Sequence, residues 1–555
     1  MRLTEGFNLL ATAPDGIKRL RELILSLAVQ GKLVPQDPSD EPASELLKQI
    51  RAEKDRLIAE GKIKKDKPLP AISDDENPFE LPDGWEWVRL GDLGFTQTGG
   101  TPSKNEPASF GDDVPFVKPG DIFPNYVEYK NEGLSTAGAE QLGRLAPAGS
   151  ILMVCIGTIG KCNFITRPCA FNQQINSISP LGGNSLFWLS VLRSSYFQAE
   201  AWLRSSSTTI AILNKGKWET IPVPMAPALA QSRIVAKVEE LMALCDALET
   251  RGQLEAEQHA RLTTTLFDAL AASESAHQLQ ENWARLAASF DLVLDRPEAV
   301  DALEQTLLQL AVRGLLVPQD PADEPASELL KQIRAEKDRL IAEGKIKKDK
   351  PLPAISDEEK PFELPQGWEW VRLGQVSDFI NGFAFPSNQF IDSGIGVVKI
   401  GDIQNGRIST ASMSYVSYEF ASGLDSAITV HPGDMLIAMS GATTGKLGFN
   451  KTNEVFLLNQ RVGKITPFGV NRKFAFHYLT TKISENLQKS VGSAIPNLST
   501  AQIKEIEFPL PPLAEQSRIV ARVEALRALC GQLRERLAAS RQAQAHLAEA
   551  LVAQT

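Results

Sequence analysis

Two glycine–lysine segments come closest to phosphate-binding chemistry in this sequence. They are residues 157–161 (GTIGK) and 441–446 (GATTGK). A phosphate-binding loop needs a fixed glycine spacing and a Ser or Thr after the lysine, whose hydroxyl reaches a metal ion. Here the glycine spacing differs, and the next residue is Cys162 or Leu447. The two segments therefore predict tight turns between strands and not a nucleotide site.

The other reactive side chains do not form a catalytic or metal-binding set. Asp121 and Asp402 each follow a glycine, a position where Asp commonly closes its own turn. Three of the 5 cysteines, Cys155, Cys162 and Cys169, recur at seven-residue intervals, whereas zinc ligands typically have a two-residue gap. We expect buried, reduced thiols, no metal site and no catalytic residue. The chain also lacks the glycine-rich cofactor loop of a DNA methyltransferase.

The composition is that of an ordinary soluble protein. Of the 555 residues, 43% are hydrophobic and 23% are charged, and no apolar run approaches the roughly 20 residues of a membrane-spanning helix. Because a basic and then apolar N-terminal segment is also missing, the sequence predicts a cytoplasmic protein with no membrane partner. The formal net charge of −10 argues against a chain coated in nucleic acid. The acidic residues crowd the helical stretches, however, and charge acts locally.

The chain is a tandem repeat. Residues 33–37 (LVPQD) return 283 positions later, and residues 41–73 recur without a single change at 324–356. The blocks PFELP and GWEWVRLG recur as well, and QSRIV at 231–235 returns at 516–520. Such long matches, at offsets of 283 and 285 positions, indicate a duplicated architecture.

Between these blocks the two copies share only a sparse scaffold. Residues 118–122 (KPGDI) correspond to 399–403 (KIGDI), and residues 172–173 (NQ) correspond to 459–460. One fold has been kept while its surface has diverged. That pattern is expected of two domains that do the same job on different targets, since two enzymes would keep the same chemical groups in both copies.

A long amphipathic helix is predicted after each diverged segment. Apolar residues alternate by four and three positions, which is the a/d pattern of a helix-packing seam. The seam residues are Ile234, Val238, Leu241, Cys245 and Leu248, and in the second copy Ile519, Val523, Leu526, Cys530 and Leu533. The first helix spans about 229–270, a length on the order of 60 Å. Each helix either packs on its own domain or pairs with its counterpart, and the narrow, duplicated stripe favours pairing.

Shorter helices precede each diverged segment. An apolar period over 17–27 and 300–310 stops at Gly31 and Gly314, as helices often do. A polar amphipathic helix follows at 41–61 and at 324–344. The basic run KIKKDKP after it is either a solvated linker or a DNA contact, and its position between a helix end and prolines favours the linker.

These patterns predict an α+β protein. Two globular mixed α/β domains are separated by long antiparallel paired (coiled-coil) helices, with an internal pseudo-two-fold repeat. The predicted regions are an N-terminal helical block at 1–84, a globular domain at 85–224, a central helical region with spacer helix and repeated block at 225–367, a second globular domain at 368–509 and a terminal spacer helix at 510–555.

This arrangement resembles the specificity subunit of type I restriction-modification systems over nearly the whole chain. Its marks are the LP-x-GWEW opening of each globular segment, the Gly-Asp-Ile and Asn-Gln elements, and PLPPLAEQ at 509–516. The resemblance implies a non-catalytic subunit in which two target-recognition domains each read one half of a bipartite, gapped DNA site. The helices would act as a spacer that fixes the gap.

The resemblance also implies partners. They are double-stranded DNA, two methylation subunits that carry S-adenosylmethionine, and restriction subunits that use ATP and Mg²⁺, so that this chain itself holds no cofactor. The first copy departs from the pattern because Ala230 stands where the second copy has Glu515. This departure leaves the subunit contact of the first copy open.

Basic and polar side chains of the two globular domains are the candidate DNA contacts. Lys and Arg bind phosphates, polar loops reach the duplex, and a Gln amide matches adenine. The candidates are Thr101, Ser103, Lys104, Lys118, Lys161, Arg167, Gln173, Ser206, Lys399, Lys446, Gln460, Arg461, Lys464, Ser493 and Asn497. Gln173 and Gln460 either read bases or satisfy backbone groups, and because both copies keep them we favour the structural role.

Two other functions stay open on the sequence alone. A coiled-coil scaffold or adaptor would bind proteins and show no salt-sensitive DNA affinity, even with its partners present. The same recognition module could also serve a methylation-only system, which neighbouring genes would reveal.

Overall fold

The computed structural model describes residues 10–65, 67–103, 105–206, 210–404, 406–489 and 497–553. The chain divides into two compact units, one of residues 1–255 with 541–555 and the other of residues 256–540. The division falls inside two long helices, each of which begins in one unit and ends in the other. Within the described residues, no helix combines the length and apolarity that crossing a bilayer requires.

The first unit mixes helices and short strands. Its helices are α1 (Gly16–Val29), α2 (Ala43–Ala59), α3 (Thr136–Leu142), α4 (Ser185–Arg193), α5 (Ser195–Leu203), α6 (Lys215–Glu219) and the first part of α7 (Ala228–Ala271). Its strands are β1 (Glu86–Arg89), β2 (Gly94–Thr98), β3 (Phe110–Val117), β4 (Gly133–Leu134), β5 (Leu145–Ala146), β6 (Ile151–Val154), β7 (Cys162–Phe164), β8 (Cys169–Phe171), β9 (Ile175–Pro180) and β10 (Pro222–Met225).

The second unit repeats this mixture with additions. Its helices are the end of α7, then α8 (Ala276–Ala288), α9 (Phe290–Val293), α10 (Pro297–Val312), α11 (Ala326–Ala342), α12 (Leu373–Val376), α13 (Tyr418–Ser422), α14 (Arg472–Lys489), α15 (Thr500–Lys504) and most of α16 (Leu513–Ala553). Its strands are β11 (Glu369–Arg372), β12 (Ser377–Asn381), β13 (Phe390–Ile391), β14 (Ile395–Val398), β15 (Ile403–Gln404), β16 (Arg407–Ile408), β17 (Ser414–Val416), β18 (Thr429–Val430), β19 (Met435–Ala438), β20 (Leu447–Phe449), β21 (Phe456–Leu458), β22 (Val462–Pro467) and β23 (Glu507–Leu510).

Both units contain the same sheets. An antiparallel sheet has the strand order β2-β9-β6-β7 in the first unit and β12-β22-β19-β20 in the second. Another has the order β4-β3-β8-β5 in the first unit and β17-β14-β21-β18 in the second, where β13 extends it. The central pair of this sheet, β3 with β8 and β14 with β21, is parallel in both. The two diverged segments are therefore mixed α/β domains of one topology.

Short apolar runs form the central strands, and the predicted turns follow them. Every residue of β6 and of β19 is buried, as expected for strands covered on both faces. The chain then reverses through the glycine–lysine segment, with φ of 98° at Gly160. The Asp121 side chain accepts the backbone N–H of Lys118 at 2.7 Å, and Asp402 accepts that of Lys399 at 2.8 Å. Both acids close turns, as predicted.

The helix predictions agree closely with the structure, with one omission. The long helix α7 spans Ala228–Ala271, against a predicted 229–270, and α1 and α10 end just before Gly31 and Gly314. Helices α8 and α9 were not predicted. Asn282 of α8 donates to the carbonyl of Ala269 at 2.8 Å, which fastens this helix to the end of α7.

The predicted seam residues face the cores of their own units. Those that are buried are Ile234, Val238, Cys245, Ile519, Val523 and Cys530, and those that are half-buried are Leu241, Leu248, Leu526 and Leu533. Their clusters include α1 in the first unit and α10 in the second. Because each unit contains part of both long helices, this packing does not decide between the two alternatives. Pairing of α7 with α16 stays a prediction.

A histidine without a partner is buried in the second unit. His477 of α14 is 5% exposed, and neither ring nitrogen has a hydrogen-bond partner among the described residues. Burial, with the positive charges of Arg527 and Lys473, lowers its pKa to about 4, against the opposing charges of Glu524 and Glu304. The folded protein therefore holds His477 neutral at a pH where the unfolded chain protonates it.

We expect this histidine to make the second unit sensitive to acid. Since the folded pKa lies below the unfolded value of about 6.5, the free energy of unfolding is unaffected above that pH and falls as pH drops towards 4. At pH 5 the loss is about 2 kcal/mol. The measurement is urea unfolding at pH 7 and at pH 5. Between these pH values the free energy of unfolding of H477L should fall by about 2 kcal/mol less than that of the parent chain. H431L, at an exposed histidine, should show the same fall as the parent chain. Equal losses in H477L and the parent would contradict this assignment.

Candidate nucleic-acid interface

An exposed glutamine occupies the same turn in both globular domains. Gln173 lies between β8 and β9, Gln460 lies between β21 and β22, and both are exposed. The asparagine before each holds the turn, since the side-chain oxygens of Asn172 and Asn459 accept the backbone N–H two residues on, at 3.1 Å and 3.3 Å. The asparagine side chains thus make the backbone contacts of this turn, and the choice between base reading and a structural role for the glutamines stays open. The glutamine amides remain accessible.

A glycine lets a neighbouring loop cross this turn at close range. A Cβ at Gly99 would lie 2.1 Å from the carbonyl oxygen of Asn172, and one at Gly382 would lie 2.0 Å from that of Leu458. Such a contact tolerates no side chain, so glycine is required. The loops that follow β2 and β12 are therefore fixed beside the glutamines in both domains.

The residues brought there by the loop differ between the domains. In the first domain the Thr101 hydroxyl donates to the side-chain oxygen of Gln173 at 2.5 Å. In the second, Phe383 pairs with Asn459 as an isolated bridge and its side chain is 38% exposed. A shared turn thus carries a hydroxyl in one domain and an aromatic ring in the other. This is the arrangement expected when one scaffold presents two different recognition surfaces.

Exposed aromatic side chains in both domains were missed on the sequence. In the first domain Phe123 and Tyr126 stack with ring centroids 4.6 Å apart and are 37% and 53% exposed. In the second, Phe383 packs on Phe385 at 5.2 Å and Tyr418 is 71% exposed. Aromatic faces can stack on splayed bases or pack on sugars. The signal was present as FPNY at 123–126 and FAF at 383–385 within the diverged segments.

Three of the predicted phosphate-binding lysines already have partners in their own domain. The Lys118 ammonium forms an ion pair with Glu132, that of Lys161 donates to the Pro119 carbonyl at 2.7 Å, and that of Lys399 donates to the Ser414 hydroxyl at 2.8 Å. The last also lies 3.9 Å from the centre of the Phe390 ring. Each lies at a half-buried position, so a direct contact with phosphate would require these bonds to break.

The prediction for Lys464 is wrong. Lys464 lies in β22, between the neighbouring strands β12 and β19, and is 8% exposed. The ammonium donates to the carbonyl of Thr429 at 2.6 Å and lies 3.9 Å from Asp434, and burial lowers its pKa. A side chain on the covered face of a central strand cannot reach a phosphate.

The remaining candidates are accessible or undescribed. The exposed ones are Thr101, Ser103, Arg167, Ser206, Lys446, Arg461 and Asn497. Arg167 lies 5.5 Å from the centre of the Tyr129 ring, which keeps its guanidinium at the surface. Lys104 and Ser493 lie outside the described residues. The DNA contacts stay predictions at all of these positions.

The cysteines are buried thiols. Burial raises the pKa of Cys155 and of Cys169 to about 12 and that of Cys162 to about 11, and all five are free. Thiols with such pKa values stay protonated at neutral pH and are poor nucleophiles. Across the described part of the chain, no group of three His, Cys, Asp or Glu side chains is placed to hold a metal ion.

The QSRIV blocks fasten each long helix to its globular domain. Gln231 is fully buried, accepts the backbone N–H of Asn184 at 2.8 Å and donates to the Ala226 carbonyl at 2.9 Å. Gln516 makes the same bonds, accepting the N–H of Asn471 at 2.7 Å. The glutamine of the QSRIV block thus makes the same pair of hydrogen bonds in both units.

The two copies also differ inside their units, where the first has Ala230 and the second has Glu515. Glu515 is 1% exposed and accepts the indole N–H of Trp368 at 2.9 Å, and burial raises its pKa. In the first unit the corresponding indole, that of Trp85, donates to the Gln36 side chain at 3.0 Å. Gln36 takes the place of the missing carboxylate. This carboxylate is buried inside its own unit, and the subunit contact of the first copy stays open.

Comparison with known proteins agrees with this geometry. The family model for the type I restriction modification DNA specificity domain matches residues 82–258 and again 365–539. The type I restriction enzyme EcoAI specificity subunit of Escherichia coli is 38% identical over 97% of this chain and 93% of its own length. The EcoEI specificity subunit of the same species is 35% identical over 97% of this chain and 93% of its own length.

A solved structure has the same fold. A chain from work on complex assembly and conformational transition of the type I R-M system matches with a TM-score of 0.51 at 19% identity, covering 86% of this chain and 98% of that chain. The two family-model matches contain the two domains of common topology, each with its exposed glutamine turn. The chain belongs to the family of type I restriction-modification DNA specificity subunits.

Proposed function

We propose that each globular domain of this chain reads one half of a bipartite, gapped DNA site. The observation that carries the proposal is the shared Asn-Gln turn, crossed in both domains by a glycine loop whose exposed residues differ. A common scaffold would hold each domain in the same way on DNA, and the diverged loops and aromatic side chains would select different bases.

The long helices would set the gap between the half-sites. Half-sites on one face of B-DNA lie about 34 Å apart per helical turn, and α7 with its 44 residues is on the order of 60 Å long. Antiparallel pairing of α7 with α16 would give a rigid spacer and a pseudo-two-fold arrangement. The regions 85–224 and 368–509 then act as the target-recognition domains, with 1–84, 225–367 and 510–555 as the framework.

The duplicated helices α2 and α11 would dock two copies of a methylation subunit. Their sequences are identical, and their exposed side chains are the same, among them Lys48, Arg51 and Asp55 in α2. Two equal surfaces on one chain would bind two equal partners. Those partners would carry S-adenosylmethionine, and restriction subunits would carry ATP and Mg²⁺, so that this chain contributes recognition without catalysis. The assembly would work in the cytoplasm.

The test is DNA binding by the complex reconstituted with methylation subunits. Duplexes that contain the recognised site should bind much more tightly than scrambled duplexes, and binding should weaken as salt rises because phosphate contacts release counterions. A complex that assembles but shows no salt-sensitive DNA affinity would instead support the protein-only scaffold.

The glutamines give a sharper prediction. A side-chain amide that reads a base contributes about 1–3 kcal/mol of discrimination, so Q460A should weaken binding to the cognate site about tenfold or more. Q173A should do the same through the other half-site. The matched control is Q532A, at an exposed position of α16. If Q460A and Q532A bind alike at low and at physiological salt, Gln460 does not read DNA.

A further inference from the structure

Most framework contacts cannot distinguish one copy of the repeat from the other. Ile50 of α2 lies against Gly182, and the identical Ile333 of α11 lies against Gly469. Arg233 pairs with Asp40 at 3.0 and 2.5 Å, and the second unit repeats this pair at 3.1 and 2.5 Å. Equal residues make equal contacts in both units. A framework block from one copy would therefore fit the domain of the other.

The contact between the short helix and the long helix is different. In the first unit Arg21 of α1 donates to Asp246 of α7 at 2.7 Å and to Glu249 at 2.8 Å. The short helix supplies the positive charge and the long helix supplies the negative charges. Arg21 is about one-third exposed, so the pair lies at the edge of the helix contact.

The second unit has the opposite polarity at the same positions. Glu304 of α10 stands 283 positions after Arg21, and Arg534 of α16 stands 285 positions after Glu249. Glu304 accepts from Arg527 at 2.6 Å and from Arg534 at 2.9 Å. Asp301, which corresponds to Lys18 of α1, accepts from Arg534 at 2.8 Å. Here the short helix is acidic and the long helix is basic.

This reversal of charge would destabilise a pairing between the short helix of one copy and the long helix of the other. α1 already contacts the far end of α16, where Arg19 lies 3.8 Å from Glu549. If α1 instead packed on the first half of α16, Arg21 would face Arg527 and Arg534. If α10 packed on α7, Glu304 would face the two acids of α7. Exposed ion pairs add little stability on their own, but like charges at a helix contact penalise the wrong partner.

We propose that these oppositely directed ion pairs are the specificity determinant that assigns each short helix to the long helix of its own repeat. The surface around Asp246 and Glu249 accepts a basic short helix, and the surface around Arg527 and Arg534 accepts an acidic one. The device prevents exchange between the near-identical repeats of one chain or of two copies of the chain. The inference does not depend on DNA reading.

The experiment compares two variants of the full chain after refolding from guanidinium. In the first variant, copy one receives the residues of copy two, so that both contacts have the same polarity. Its substitutions are K18D, R21E, M242R, D246G and E249R. The matched control, the second variant, also exchanges copy two, so that both contacts are reversed and polarity remains opposite. Its added substitutions are D301K, E304R, R527M, G531D and R534E.

The readout is the fraction of chain recovered as monomer, measured by size-exclusion chromatography with light scattering. We expect the first variant to lose about threefold or more of its monomer to dimers and larger species, because incorrect pairing no longer places like charges together. The doubly exchanged control should match the parent chain. The proposal fails if the first variant refolds as the parent does, or if the control loses as much monomer as the first variant.

Discussion

Replacing Arg372 by methionine is expected to lower the free energy of unfolding by about 3 kcal/mol, the scale for breaking a buried ion pair. The residue is 3% exposed. Its guanidinium donates to the Pro353 carbonyl at 3.1 Å, to the Glu505 carbonyl at 2.7 Å and to the Glu359 carboxylate at 2.8 Å. Removing it leaves carbonyls and carboxylates unpaired and releases the proline-rich segment from the domain.

The control is Arg339, which also forms ion pairs but is exposed to solvent. Arg339 is 55% exposed and forms ion pairs with Glu336 and Glu343, so R339M should cost about 0.5 kcal/mol or less. Urea unfolding of the two variants separates the cases. Equal destabilisation by R372M and R339M would show that the buried guanidinium does not hold this segment. Arg89 makes the equivalent contacts in the first unit, and R89M should behave as R372M does.

Exchanging residues 85–224 for the corresponding segment of the EcoEI relative is expected to change one half of the methylated motif completely. The ends of this segment meet in one antiparallel pair, β1 with β10, so a foreign domain can join the framework at adjacent strands. The second domain is closed in the same way by β11 and β23. Since α7 and α16, the helices proposed to set the gap, lie outside the exchange, the length of the gap should not change.

The reciprocal exchange of residues 368–509 is the control. It should change the other half of the motif and leave the first half intact. The measurement is long-read sequencing of methylated adenines in cells that carry the partner subunits. A change in both halves, or in the gap, after a single exchange would show that the two domains do not read independently.

The sequence predicted the helices because their signals are local, and the repeat because its two copies match directly. The heptad seam of α7 and the stop at Gly31 follow from residues close together in the chain. The turn roles of Asp121 and Asp402 are local for the same reason. These features agree with the structure within a residue or two.

Features that depend on sheet register and on distant partners were not predictable in this way. Lys464 was assigned to phosphate because a lone lysine in a strand gives no sign of which face is covered. The replacement of Glu515 by Gln36 as acceptor for a tryptophan depends on residues far apart in sequence. The reversed ion pairs at Arg21 and Glu304 likewise appear only when the helix contacts are known.

The most direct test of the account compares adenine methylation in cells with and without this gene, with the partner subunits expressed in both. We expect one asymmetric, gapped motif to lose its methylation when the gene is deleted and to regain it when the gene is restored. An unchanged set of methylated motifs in such cells would contradict the conclusion that this chain specifies the DNA sequence.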